Sequence, residues 1–205
     1  PPEELPEGID GLLRSGLVLF HGGLAQNVGP ILELVTEKYL LRYRREWEAR
    51  KKEMRIFDGI VAALRKGDMT ELGRLTTGDW EEGTKVIIPR ASDAYTEALI
   101  GRMKKRWGDR CRGFLMLGGA AGGGMAFIVD PRIHADFAED LLTGMKELKK
   151  TYAAALPFAM EPAVFDFTVN NTGIRGELRT GAAARLPSAY YRLRQGEGKK
   201  IVQKD

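Results

Sequence analysis

Apolar residues four positions apart predict one long amphipathic helix, with a stripe made of Val35, Tyr39, Tyr43, Trp47, Met54, Phe57, Val61 and Leu64. We expect this helix to begin near Leu24, or at Ile31 just after Pro30, and to end at Gly67. The same period, with capping residues and glycine stops, predicts three shorter helices. These cover 68–75 behind Asp68, 94–107 behind Ser92 or Asp93, and a last segment from 130 to about 152.

Short apolar or alternating runs predict four strands, over 12–20, 114–117, 125–129 and 163–169. Together with the helices they give the order β-α-α-α-β-β-α-β. Few strands among several helices indicate an α+β fold. We therefore predict an antiparallel sheet of about four strands backed by helices, one of them long and amphipathic.

The loop between the second and third predicted strands consists only of glycine and alanine. It holds five of the chain's 25 glycines, namely Gly118, Gly119, Gly122, Gly123 and Gly124. So many glycines indicate positive φ angles or the close approach of another backbone or a phosphate. In Walker and dinucleotide loops a helix follows the glycines, whereas here the strand Met125–Val129 follows. The sequence therefore excludes both motifs and leaves two interpretations open, a phosphate-approaching loop or a tight hairpin turn.

The net charge of +4 is concentrated near the C-terminus. Residues 171–205 contain eight Lys or Arg against three Asp or Glu, while the rest of the chain is close to neutral. A basic tail of this kind either binds nucleic acid or an acidic partner, or is simply solvated, and we favour the solvated tail. Nucleic-acid binding through the tail remains a third, lower-ranked function.

Cysteine and histidine content limits the possible chemistry. The only cysteine is Cys111, which excludes an internal disulfide and is typical of a reducing cytoplasm. With only His21 and His134 beside it, the sequence predicts no metal-ligand cluster. No apolar run is long enough to span a membrane and no secretory signal pattern is present, so we expect a cytoplasmic protein without a membrane partner.

The glycine hairpin, followed by Ile-Val-Asp-Pro and a helix, resembles the third motif of the GHMP small-molecule kinases, the family of galactokinase and of homoserine and mevalonate kinases. Further stretches resemble the fucokinase-like and heptose-phosphate-kinase-like branch: GLVLFHGGLAQNVGPILELVTEKY, KVIIPRASDAYTEALIGRM and FDFTVNNTGIRG. The resemblance extends over roughly residues 12–176. It implies a ferredoxin-like C-terminal kinase domain over 12–176, after a lead-in over 1–11 and before a basic tail over 177–205.

The resemblance implies an ATP- and Mg²⁺-dependent sugar kinase whose ATP-phosphate loop and catalytic residues lie in an N-terminal half missing from this sequence. That half would be on the same longer chain or on a separate subunit, and the chain alone is not expected to be active. The resemblance also implies that the hairpin lines the substrate and phosphate cleft through Gly118, Gly119, Ala120, Gly122, Gly123 and Gly124.

Three polar residues near the first strand are candidate sugar contacts. His21 follows that strand, and it either faces the sugar pocket or is an ordinary strand-end residue. Gln26 and Asn27 precede the long helix, where they either bind a sugar hydroxyl or cap the helix. Asp93 is interpreted as a helix cap before a ligand, and Asp166 as an outward-facing strand residue.

The hairpin departs from the family pattern at three places. A Lys shortly before the loop, a Ser or Thr before the first glycine and a later glycine are usual, whereas this chain has Leu115 or Met116, Gly118 and Ala121. These departures favour a binding or regulatory module that kept the fold and lost catalysis. The order of elements favours the half-kinase, so both functions stay open.

Overall fold

Four strands form one sheet in the order β2-β3-β1-β4. Their bounds are β1 Leu17–His21, β2 Cys111–Met116, β3 Gly124–Val129 and β4 Ala163–Phe165. Every neighbouring pair is antiparallel. Helices connect β1 to β2 and β3 to β4, while a hairpin connects β2 to β3, which is the split βαβ or ferredoxin-like arrangement. The predicted α+β class with a four-stranded antiparallel sheet is confirmed.

The computed structural model describes residues 5–24, 28–118, 122–170, 173–174 and 176–184. The chain divides into two units, Pro1–Val169 and Asn170–Asp205. The α-helices of the first unit are α1 Ile9–Gly16, α2 Gly29–Leu41, α3 Arg44–Lys66, α4 Met69–Gly78, α5 Lys85–Ile87, α6 Ala94–Trp107 and α7 His134–Thr151. None of the helices in the described ranges is both long and apolar enough to cross a membrane.

Both faces of the sheet are covered by helices. On one face, β1 and β3 contribute Val18, Phe127 and Val129 to a core that includes residues of α6 and α7, such as Leu99 and Leu141. On the other face, Ile128 joins a smaller cluster that contains Met69 and Leu72 of α4. Residues 125–129 are all buried, because β3 is an inner strand with helices on both sides.

The predicted first strand over 12–20 is wrong in its first half. Residues Ile9–Gly16 form helix α1, and β1 starts only at Leu17. Ile9 and Gly16 are buried, and Leu13 packs against the smaller cluster. A short apolar run does not distinguish a strand from a helical turn, so the tertiary contacts decided between them.

The predicted long amphipathic helix is confirmed as α3, which has 23 residues and ends before Gly67, but its predicted start near Leu24 or Ile31 is wrong, because α2 and α3 are separate helices. Arg42 has a φ of 50°, and its N–H donates to the carbonyls of Lys38 and Tyr39, which ends α2. The Tyr39 and Trp47 rings then meet across the break at 5.7 Å, and the Arg42 guanidinium lies 5.1 Å from the Trp47 ring centroid. These aromatic and cation–π contacts favour a helical hairpin that no glycine or proline signals in the sequence.

Three predicted helices are confirmed, namely α4, α6 and α7. The first two begin at their predicted capping residues, and α7 ends near its predicted end. The Asp68 carboxylate accepts hydrogen bonds from the N–H groups of Thr70 and Glu71 at the start of α4. The Asp93 carboxylate accepts from Thr96 N–H at 2.7 Å at the start of α6. Helix α7 follows a short 3₁₀ turn and ends at Thr151, close to the predicted residue 152.

The chain stays helical beyond the predicted end of α4 at Leu75, through a π-helical segment at Asp79–Thr84 that leads into α5. A Cβ on Gly83 would overlap the Glu53 side chain of α3. Gly83 therefore permits a close helix–helix approach there and does not end the helix.

The last strand is shorter than the predicted 163–169, since only Ala163–Phe165 pair with β1. The two strands are antiparallel, and Phe165 lies opposite Leu19. Because β1 begins at Leu17, it offers almost no further residues with which the chain after Phe165 could pair. In the second unit, the described residues include a 3₁₀ turn at Gly181–Ala184 and an exposed Arg179–Glu177 ion pair at 3.2 Å.

Candidate functional site

The glycine hairpin joins β2 to β3 at one end of the sheet. Its base is closed by Leu117 N–H, which donates to Gly124 O at 3.0 Å. Gly118 has a φ of 57°, is exposed and has open space around its Cα. Gly122, on the returning side, has a φ of 79° and is buried. Two positive φ angles explain two of the glycines by backbone conformation alone.

The chain that follows β1 extends the sheet along the returning side of this hairpin. Gly22 N–H donates to Gly123 O at 3.1 Å, and Leu24 N–H donates to Gly122 O at 3.0 Å. We call this contact, between residues 22–24 and 122–123, the glycine seam. Because two hydrogen bonds continue the β1–β3 ladder beyond its last strand pair, the seam fixes the hairpin relative to β1.

The seam leaves no room for side chains at Gly22 and Gly122. A Cβ on Gly122 would overlap the Leu24 side chain, and a Cβ on Gly22 would lie 2.7 Å from Gly122 O. Gly23 has a φ of 89°, and its carbonyl accepts from Met160 N–H at 2.7 Å, which ties the seam to the segment before β4. Backbone packing within the chain therefore accounts for Gly122, and for both glycines after β1.

His21 is the last residue of β1 and lies opposite Gly124 in the register, beside the hairpin. Its Nδ1 accepts a hydrogen bond from Gly23 N–H at 3.0 Å. In the neutral imidazole this bond places the proton on Nε2. The ring therefore shapes the turn into the seam, and its role as a sugar contact stays a prediction.

Tyr95 of α6 anchors the seam from the core side, and sequence reasoning did not identify it. Its hydroxyl donates to Gly22 O at 3.1 Å, and the side chain is only 2% exposed. Burial raises the pKa of the Tyr95 hydroxyl well above its ordinary value, and nearby Asp93 adds to the effect. An aromatic residue in the first turn of a helix is too common a pattern to have indicated this contact.

We expect Tyr95→Phe to lower the free energy of unfolding by about 1–2 kcal/mol, because the buried Gly22 carbonyl loses its donor. The substitution should also change the alkaline limb of the stability profile. A phenol whose pKa is raised by folding keeps its proton in the native state, so stability falls as pH rises above the unfolded value of about 10. Urea unfolding of both proteins at pH 7 to 11 measures this.

The buried thiol of Cys111 also affects how the free energy of unfolding depends on pH, and it does so equally in both proteins. Burial raises its pKa to about 11, so it also lowers stability at alkaline pH in the parent and in the variant. The difference between the two profiles therefore isolates Tyr95. An unchanged difference from pH 7 to 11 would contradict the buried-phenol assignment.

Several sequence-predicted site residues lie outside the described ranges, namely Gln26, Asn27, Gly119 and Ala120. Among those that are described, Gly124 is half-buried in β3 and Gly123 is buried in the seam. Asp93 caps α6, as its first interpretation predicts. Asp166 is exposed and lies 3.9 Å from the Arg14 guanidinium.

The described residues of the hairpin and the glycine seam carry no group that would hold Mg²⁺. Within the described ranges, no group of three or more His, Cys, Asp or Glu side chains is placed to hold a metal ion. The seam is formed by glycine backbone and apolar side chains such as Leu24 and Met125. We therefore derive no chemical step through ATP or Mg²⁺ from these residues.

No family model matches the chain, and none of the curated proteins matches it. Among solved structures, it is similar to a D-glycero-D-manno-heptose 1-phosphate kinase from Bacteriodes thetaiotaomicron, with 18% identity, a TM-score of 0.48, and coverage of 82% of this chain and 37% of that chain. It is also similar to a candidate sugar kinase from Campylobacter jejuni, with 18% identity, a TM-score of 0.47, and coverage of 83% and 41%. The chain thus spans about two fifths of the length of these two structures.

Proposed function

We propose that the chain is the C-terminal half of a GHMP-type, ATP-dependent sugar kinase of the fucokinase-like branch. The observation that carries this proposal is the glycine hairpin, held by the glycine seam at one end of a ferredoxin-like sheet. The hairpin is the part of the sequence that most specifically resembles the family's third motif. The fold around it is the one that the resemblance implies.

Within this proposal, the two sides of the hairpin have different roles. Gly122 and Gly123 are buried in the seam and hold the loop in place. Gly118, on the outgoing side, is exposed with open space beside it, and is followed by Gly119 and Ala120 in the sequence. We assign the approach to the sugar or its phosphate to this outgoing side, where a backbone N–H is able to meet an oxyanion.

ATP and Mg²⁺ belong to the proposal only together with an N-terminal half, on the same longer chain or on a separate subunit. When bound there, ATP would supply the phosphoryl group and Mg²⁺ would neutralise its developing charge. This chain's own contribution would be to position the acceptor through a rigid hairpin.

An exposed apolar surface supports the need for a second half. No residue of α2 is buried, although the helix carries Leu32, Leu40 and Leu41, whose exposures are 59%, 70% and 60%. In α3, Met54 and Phe57 are each 59% exposed. Apolar residues grouped on neighbouring helices in this way are typical of a surface that another protein segment covers.

A non-catalytic binding or regulatory module is the second candidate. It is favoured by the hairpin sequence, in which Ala121 and the absence of a preceding Lys remove groups usual in the family. Such a module would bind a sugar or a partner through the same hairpin without transferring phosphate. Phosphoryl transfer itself therefore discriminates between the two candidates.

The test starts from the protein captured at its native length from source cells, assayed with ATP, Mg²⁺ and a panel of sugars. Gly118→Asn is the informative variant, because asparagine tolerates positive φ and the position is open. Gly8→Asn is the matched control, since Gly8 has a φ of 81° and equally open surroundings. We expect kcat/KM to fall at least about tenfold in Gly118→Asn only, with melting temperatures close to the parent.

Equal activities in Gly118→Asn and Gly8→Asn would show that the hairpin does not line the substrate cleft. Sugar binding without any phosphoryl transfer would favour the regulatory module. A native species of 22.8 kDa with no co-purifying subunit and no kinase activity would overturn the half-kinase proposal.

A further inference from the structure

A second concentration of positive charge lies in the folded part of the chain, at the end of α6 and the start of β2. Residues 102–112 contain six Lys or Arg and one acidic residue, Asp109. The net charge of residues 1–170 is close to zero in spite of this segment, because acidic residues elsewhere in that range offset its positive charge. The basic character of the protein is therefore not confined to its tail.

Part of this segment lines a groove between α4 and β2. Three cations face it, Arg74 from α4, Lys104 from α6 and Arg112 from β2, together with the hydroxyl-bearing Thr70 and Thr77 of α4. Asp109 is the one acidic side chain in the lining. We call the surface formed by these residues the basic groove: Thr70, Arg74, Thr77, Lys104, Asp109 and Arg112.

A backbone contact fixes the two arginines near each other. A Cβ on Gly113 would overlap the backbone of Gly73, and one on Gly73 would lie 2.7 Å from Arg112 O. Helix α4 therefore touches β2 through a pair of glycines, and Arg74 and Arg112 are the sequence neighbours of these glycines. The close approach of the two backbones therefore brings the Cα atoms of the two arginines near each other.

Two of the three cations of the groove already contact a carboxylate, and Lys104 is the one that does not among the described residues. The Asp130 carboxylate lies 2.7 Å from Arg132 but 3.5 Å from Arg112, so it is mainly engaged by Arg132. Arg74 forms a bidentate pair with Glu71 on the same helix, at 2.6 and 2.7 Å, so an anion bound in the groove must share this guanidinium with Glu71. No carboxylate of the described residues lies within ion-pair distance of Lys104.

Three of the other four cations of the segment are engaged elsewhere. Arg102 pairs with Glu147 at 2.5 Å, and Arg106 pairs with Asp140 at 2.7 Å. The Arg110 guanidinium lies 5.2 Å from the Trp107 ring centroid. The available positive potential is thus centred on the groove and does not form a long stripe, which favours a small ligand over a nucleic-acid strand.

We infer that the basic groove binds a small polyphosphate anion, such as the phosphates of a nucleotide or an inorganic polyphosphate. Arginine forks and a lysine point charge are the groups that proteins use for phosphate oxygens, and threonine hydroxyls are able to donate to the same oxygens. The inferred site is separate from the hairpin. The groove lies at the Cys111 end of β2 and the hairpin follows its Met116 end, so a six-residue strand of about 17 Å separates them.

The experiment is calorimetric titration of the purified protein with inorganic tripolyphosphate at low salt, using Lys104→Gln and Lys105→Gln. These two lysines are adjacent on α6 and carry the same charge, but only Lys104 lines the groove. We expect saturable one-to-one binding, weakened about tenfold by Lys104→Gln and less than twofold by Lys105→Gln. Melting temperatures of both variants confirm that the fold is kept.

Three results would overturn the inference. Equal weakening in the two variants, or binding that does not saturate, would mean that general positive charge attracts the anion. A single-stranded oligonucleotide that binds far more tightly than tripolyphosphate, and loses affinity equally in both variants, would identify an extended nucleic-acid surface instead. Adenosine triphosphate and tripolyphosphate titrated in parallel distinguish a nucleotide ligand from an inorganic one.

Discussion

Replacing Gly122 by alanine is expected to lower the free energy of unfolding by about 2–4 kcal/mol, the sum of left-handed strain and overpacking. Gly122 has a φ of 79°, and a Cβ there would overlap the Leu24 side chain. Leu24 cannot move freely, because its N–H donates to Gly122 O across the same seam. Urea denaturation followed by far-ultraviolet circular dichroism measures the loss.

Gly124→Ala is the matched control on the same hairpin. A Cβ on Gly124 would meet its nearest atom, Leu117 O, at 3.6 Å, which is an ordinary contact. We expect its unfolding free energy to stay within about 1 kcal/mol of the parent. If both variants lose the same stability, the glycine seam is not what restricts Gly122.

The Gly122 result also determines how activity data are interpreted. A larger side chain such as valine at this position should impair folding first, so a loss of turnover there would not identify a phosphate contact. Gly118 is the better probe of the proposed cleft, because a side chain there meets nothing within 4 Å.

Gly113→Ala is expected to be at least as severe, with a loss of about 3 kcal/mol or failure to fold. A Cβ at this position would overlap the carbonyl group and Cα of Gly73. Both partners are backbone held in α4 and β2, so no rotamer change relieves the overlap. Gly113 is buried, and the contact lies on the sheet face where Leu72 of α4 and Leu115 of β2 join the smaller cluster.

Gly101→Ala provides the control for this second prediction. Gly101 is an exposed residue of α6 with nothing within 4 Å of an added Cβ. Alanine there should raise stability by up to about 1 kcal/mol through helix propensity alone. A Gly113→Ala protein as stable as the parent would show that α4 does not pack on β2 in this way, and would remove the geometric basis of the basic groove.

The sequence predicted the elements that carry local signals. Asp93 and Gly108 delimit α6 as expected, since a capping carboxylate and a glycine stop act within one helical turn. The hairpin and its two strands followed from apolar runs on either side of glycine. The break at Arg42 had no such signal, because contacts of Trp47 and Tyr39 stabilise a positive φ that arginine disfavours.

The candidate site was only partly predictable. The sequence identified the hairpin and placed His21 beside the first strand, and the structure brings them together at one end of the sheet. It did not indicate that Gly22 packs on Gly122 and Gly23 on Met160, nor that Tyr95 holds Gly22. These residues are far apart in the chain, so no local pattern records their contact.

By itself, the sequence determined the α+β class, the glycine hairpin, the start of α4, both ends of α6 and the C-terminal ends of α3 and α7, because periodicity, capping and backbone freedom act over a few residues. Only the tertiary structure decided which glycines lie against other segments, with no room for a side chain, and which face open space. It alone also placed Arg74 beside Arg112 through the Gly73–Gly113 contact. Both outcomes depend on close approach between distant segments, and that approach is determined by how the helices pack on the sheet.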